Sequence, residues 1–127
     1  MNENDFNTIR WSCTVGVNAG YDLDTQANMA IEQFTEIYQK VAAQVYETTG
    51  VYISAVITPS RVVYHSEWGC PADGEFSYTI SGSCNREFTT PEEYHKALFV
   101  LANRLKEALH QSTLLLEIVP ARLIYLK

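Results

Sequence analysis

The sequence predicts an α+β fold, a four-stranded mixed sheet with two helices on one of its faces. Three observations carry that expectation. Several short stretches alternate apolar and polar residues, the period of a strand with one buried face. Two longer stretches repeat apolar residues at helical spacing. The order strand, helix, strand also occurs twice within 127 residues, a length suited to one domain, 1–127, with one core.

Each element has its own signal. Ile9, Trp11, Cys13, Val15 and Val17 alternate with Arg10, Ser12, Thr14 and Gly16, a first strand. A loop over 18–24, ending in a plausible N-cap, leads into a helix striped by Ala27, Ala30, Ile31, Phe34, Ile37, Tyr38, Val41, Ala42 and Val45. That helix should stop at Gly50, which tolerates the left-handed backbone of a C-terminal cap. Residues 51–57 read as a strand broken at Pro59 and resumed over 61–66. Phe76, Tyr78 and Ile80 alternate with Ser77, Thr79 and Ser81, a third strand. Thr90-Pro91-Glu92-Glu93 combines a cap, a first-turn proline and a capping-box acid, so a helix starts there. Tyr94, Ala97, Leu98, Leu101, Ala102, Leu105 and Leu109 form its stripe. Residues 114–119 give the last strand, broken at Pro120 and resumed over 122–126.

The halves, about 8–66 and 74–127, read as copies. Ile57-Thr58-Pro59-Ser60-Arg61-Val62-Val63-Tyr64 matches Ile118-Val119-Pro120-Ala121-Arg122-Leu123-Ile124-Tyr125, with Ile, Pro, Arg and Tyr identical. Shared apolar periodicity explains similar helices but not this repeated motif. The first strand of each half should therefore be central. The proline-bearing strands should be edges, where a missing N–H is tolerated. The segments after Pro59 and Pro120 should project past the sheet, suited to pairing with another chain.

Two architectures accommodate this order: a ferredoxin-like sheet, and the tautomerase superfamily. The duplicated unit with its trailing short strands, 61–66 and 122–126, resembles the macrophage-migration-inhibitory-factor and carboxymethyl-hydroxymuconate-isomerase branches of the latter. That resemblance implies a trimer and an amino-terminal proline as catalytic base. Residue 2 is Asn, and Pro59, Pro71, Pro91 and Pro120 all lie elsewhere. Proline-based tautomerase chemistry is therefore not expected, and a tautomerase-like enzyme would need altered chemistry on a small keto or enol acid. A binding or interaction module without a catalytic set is the favoured expectation.

Charge narrows the partners. Nine basic and fifteen acidic residues leave −6, without a basic block, which argues against nucleic acid. Trp11, Phe76 and Tyr78 share the apolar parity and should face the helices, so no base-stacking platform is expected. The phosphate loop of an acylphosphatase would need an arginine after the first strand, and none is there. No membrane span is expected. The odd count of three cysteines, Cys13, Cys70 and Cys84, suits a reduced, cytoplasmic protein, with a Cys70–Cys84 bridge as the alternative.

Candidate chemistry is sparse. Asp22-Leu23-Asp24-Thr25 resembles the Asp-x-Asp-Thr of dehalogenase-type phosphoryl-transfer enzymes, but no buried strand leads into it, and a helix N-terminus accounts for both acids. As a calcium loop it has Ala27 where Gly is required. Arg61 and Arg122, related by the repeat, together with Arg86, are candidates for binding a small anion, or for structural pairing. His65, Glu67 and Cys70, with Asp73 nearby, are the densest reactive cluster and secondary candidates. His110 suits the end of the second helix. No metal or cofactor is implied. The sheet face away from the helices should be rich in Ser and Thr, with Arg10, Glu75 and Glu117 at its margins. That face and the adjoining edges are expected to carry a homo-oligomer interface.

Overall fold

A computed structural model describes residues 5–17 and 29–126. The loop 18–24, the Asp22–Thr25 motif and Ala27 lie outside the described residues. In chain order the elements are β1 (Asp5–Gly16), α1 (Ile31–Thr49), β2 (Val56–Val62), β3 (Glu75–Ser83), α2 (Pro91–Ala108) and β4 (Leu115–Ile124). One turn of 3-10 helix, Ser66–Trp68, interrupts the link between β2 and β3.

The four strands lie in the order β2-β3-β1-β4, and every neighbouring pair is antiparallel. The α+β class, the four strands and the two helices are as expected, while the sheet is antiparallel throughout instead of mixed. Read from β4, the order is 4-1-3-2, that of a ferredoxin-like sheet. In each half the helix carries the chain over one intervening strand, so β2 lands beside β3 and β4 beside β1. No strand therefore has a parallel neighbour.

Pro59 and Pro120 lie in edge strands but break neither. Pro59 sits opposite Tyr78 and Pro120 opposite Ile9, inside continuous ladders. An antiparallel edge strand turns alternate N–H groups away from the sheet, so a proline at such a position removes no ladder bond. The residues following the prolines do not project freely either. Arg61 and Val62 pair with Phe76 and Glu75, and residues up to Ile124 pair with an early stretch of β1 that begins at Asp5. Residues 51–55 are irregular, yet Val51 and Ile53 are buried and the Tyr38 hydroxyl donates to the Ile53 carbonyl at 2.6 Å.

The helix boundaries follow their local chemistry. Thr90 Oγ1 accepts the Glu93 N–H at 3.2 Å, and Pro91 opens α2. Gly50 ends α1 with φ 77°, its N–H donating to the Tyr46 carbonyl at 2.8 Å. Both helices cover the same face of the sheet. Their stripes close on Trp11, Cys13 and Val15 of β1 and on Tyr78 and Ile80 of β3, all buried. Phe34 stacks on Tyr78 with ring centroids 4.4 Å apart.

At the centre, the Trp11 indole N–H donates to the Tyr94 hydroxyl at 2.7 Å. This is possible because Gly82 faces Trp11 without a side chain. A Cβ there would stand 2.8 Å from Trp11 Nε1 and 2.7 Å from the Ser54 carbonyl oxygen. Overpacking of that kind costs about 1–3 kcal/mol. Gly82→Ala should accordingly lower the urea midpoint with little change in the slope of the transition. A midpoint equal to that of the parent would contradict the close approach.

Candidate functional site

The arginine candidates separate. Arg122 forks onto Asp5, with Nε and Nη2 at 2.8 and 2.6 Å from the two carboxylate oxygens. Those hydrogen bonds hold the Asp5 carboxyl below the usual carboxylate value. Arg86 donates to the Asn7 carbonyl at 3.2 Å, at the same end of the sheet. Arg61 lies on the opposite edge strand, its guanidinium 5.4 Å from the centre of the Phe76 ring. No shared anion clamp results.

The cluster of His65, Glu67 and Cys70 is taken up by a loop. His65 Nδ1 accepts the Glu67 N–H at 3.1 Å and caps the 3-10 turn, and its ring lies 5.6 Å from that of Trp68. Cys70 Sγ accepts the Tyr64 N–H at 3.4 Å and lies within 4 Å of the Val62 and Pro71 carbonyl oxygens. Among the described residues no group of three His, Cys, Asp or Glu could hold a metal. All three cysteines are free.

What this loop does is bring Tyr64 to Glu75. Pro71 to Gly74 form a turn closed by the Gly74 N–H on the Pro71 carbonyl at 3.0 Å. Gly74 takes φ 78°, in a spot where a Cβ would stand 3.2 Å from the Val62 carbonyl oxygen. The chain then enters β3 with Glu75 opposite Val62. Folded back by Cys70, Tyr64 donates its phenol to Glu75 Oε2 at 3.3 Å. The other carboxylate oxygen lies over the bare backbone of Gly16, 3.4 Å from where a Cβ would be, with Gln111 Oε1 3.2 Å from the same point.

Glu75 thus differs from Asp5, the acid that opens β1. Asp5 is neutralised by a bidentate arginine. Glu75 is held by a phenol and meets no cation among the described residues. A half-buried carboxylate without a cation is an open site for one. Tyr64 lies in the repeated motif, at the position of Tyr125, whereas Glu75 lies outside it.

A family model described as SAM lyase matches residues 6–127. The chain belongs to the SAM lyase family. Among solved structures, a phage SAM lyase in complex with S-methyl-5'-thioadenosine is similar, with a TM-score of 0.62 and 18% identity. The match covers 93% of this chain and 90% of that one, a likeness of fold. No curated protein matches.

Membership in this family corrects two expectations. The tautomerase resemblance fails: its layout was shared only as an order of elements, which an antiparallel 4-1-3-2 sheet satisfies equally well. The module without catalysis is replaced by a family of enzymes, named for lyase chemistry and not for isomerisation. No helix among the described residues is long and apolar enough to cross a membrane.

The thiols offer a check on these placements. Burial pushes the Cys13 thiol up to about 12 and also raises that of Cys84, whereas Cys70 is only half-buried. The thiolate is the form that reacts. At pH 8, iodoacetamide should label Cys70 in the folded protein, and Cys13 and Cys84 only after denaturation. Mass mapping that finds Cys13 or Cys84 modified first would contradict the packing.

Proposed function

We propose that this chain cleaves S-adenosylmethionine, releasing S-methyl-5'-thioadenosine. The family match over residues 6–127 is the observation that carries the reading. In such a cleavage the bond between sulfur and the γ-carbon of the methionine chain breaks, and sulfur keeps the electron pair. The cationic sulfonium becomes a neutral thioether. The remaining four-carbon fragment balances the charge by losing a proton or by closing on its own carboxylate.

The substrate carries a sulfonium and an ammonium, so it requires an anion that no protein cation already occupies. Glu75 supports the reading on that ground. Its carboxylate binds the cationic methionine portion, and the Tyr64 phenol orients it by hydrogen bonding to Oε2. The other oxygen lies over the bare backbone of Gly16, where Gln111 Oε1 also reaches. Arg61, Arg86 and Arg122 keep structural roles here, and we place the protein in the cytoplasm, consistent with its free thiols.

Hydrogen bonds to charged groups contribute about 1.5–3 kcal/mol, roughly ten- to a hundredfold in an equilibrium or rate. Glu75→Gln should reduce kcat/KM for S-adenosylmethionine by that factor, and Tyr64→Phe by less, with chromatography of released S-methyl-5'-thioadenosine as readout. Full activity in Glu75→Gln would remove the carboxylate from the mechanism. Absence of the thioether product from the parent protein would overturn the reading itself.

We also propose self-association through the sheet face opposite the helices. Thr14 and Thr79 hydroxyls lie 3.0 Å apart, as do those of Thr79 and Ser60 and of Ser60 and Ser77. Exposed Val56, Val62 and Leu115 flank this hydroxyl ladder on the edge strands. Such a face can be covered without stranding polar groups. Light scattering should report a multiple of the 14.4 kDa chain mass, reduced to one chain by Leu115→Lys. A monomeric parent protein would exclude it.

A further inference from the structure

The end of α2 aims a second oxygen at the point that Glu75 faces. There the His110 N–H donates to the Glu107 carbonyl at 3.1 Å, and the Gln111 N–H to the Lys106 carbonyl at 3.0 Å. That pair of bonds is a Schellman ending, which needs a left-handed residue and normally finds glycine. Here His110 takes the position with φ 54°, alone among the described residues other than glycine in having a positive φ. A side chain is held in that conformation at a cost, where the surrounding fold fixes a particular geometry. What the turn fixes is Gln111. Its Nε2 donates to the Leu109 carbonyl at 3.0 Å, which turns the amide oxygen the other way. Gln111 Oε1 then lies 3.2 Å, and Glu75 Oε1 3.4 Å, from the point where a Cβ on Gly16 would stand.

Two acceptor oxygens, one charged and one neutral, thus converge over Gly16. An ionised carboxylate and an amide oxygen cannot donate to each other. A group that joins them must bring N–H donors, and beside a carboxylate it should also bring positive charge. An ammonium has both. A sulfonium has the charge but no N–H, so the amide carbonyl would add little to its binding. Tyr64 holds Oε2 of the carboxylate, so Oε1 is the oxygen turned toward this point.

We infer that Gln111 is a specificity-determining residue that seats, together with Glu75, a primary ammonium group. The corner then recognises the amino group of the methionine portion and not its sulfonium. This inference deepens the role given to Glu75 and rests on it. S-adenosylhomocysteine is the probe, because it keeps the ammonium and has a neutral thioether in place of the sulfonium. S-methyl-5'-thioadenosine, which has neither cation, is the control. Both are titrated into the full chain by calorimetry. Gln111→Leu should weaken S-adenosylhomocysteine about tenfold, the effect of losing one hydrogen bond to a charged group. It should bind S-methyl-5'-thioadenosine as the parent does, which also verifies the fold. Glu75→Gln should show the same selective loss. Parent-like binding of S-adenosylhomocysteine by Gln111→Leu, with Glu75→Gln weakened, would overturn the inference and spare the role of Glu75. Parent-like binding by Glu75→Gln would overturn both. An equal loss of the two ligands in Gln111→Leu would make the residue structural and overturn the inference.

Discussion

The hydrogen bond from Trp11 to Tyr94 organises this molecule. Trp11 is the largest fully buried side chain, on a central strand, and its indole N–H must find an acceptor once water is gone. Tyr94, near the start of α2, supplies it at 2.7 Å. The bond ties β1 to α2, and the indole can reach it only because Gly82 on β3 presents no side chain. Three elements distant in sequence are thereby set in one register.

The two halves share an outline and diverge in their charges. Each central strand opens with a carboxylate, Asp5 or Glu75, and each following edge strand carries the repeated arginine. The second half's arginine, Arg122, reaches across to the first half's acid and cancels it. The first half's arginine, Arg61, lies over Phe76, and the second half's acid is met by Tyr64. A bidentate pair is a structural fastening. A carboxylate held by a neutral donor keeps its charge for something else. Of these two corners, the one at Glu75 keeps a carboxylate that meets no cation among the described residues.

Much of the fold was legible because its signals are local. The Thr90–Glu93 cap, the Gly50 stop and the apolar stripes each act within a few residues, and the structure places them as expected. Pro59 and Pro120 correctly marked edges but were misread as breaks, because whether a missing N–H matters depends on which way it faces. The antiparallel pairing was not legible either, since strand order is decided by long-range packing. Tyr64 and Glu75 escaped for a related reason. They are eleven residues apart, joined only by a turn that Cys70 and Gly74 fold back. Cys70 looked like a reactant and instead shapes the loop. Glu75 was correctly set at the sheet margin, but a lone acid in a sequence does not declare whether a cation will meet it.

The low charge content follows from these same arrangements. Many of the charged side chains lie on the outer faces of the helices, where an exposed pair such as Lys40–Glu36 adds little to stability. The opposite sheet face carries hydroxyls that answer one another across three strands. Charges there would resist cover, because a buried ion without a partner is costly. Hydroxyls already paired resist it far less. Arg10, Glu75 and Glu117 stand at the margins of that face. A negative group at the margin of a surface suited to cover gains strength in its attraction for a cation as water is excluded.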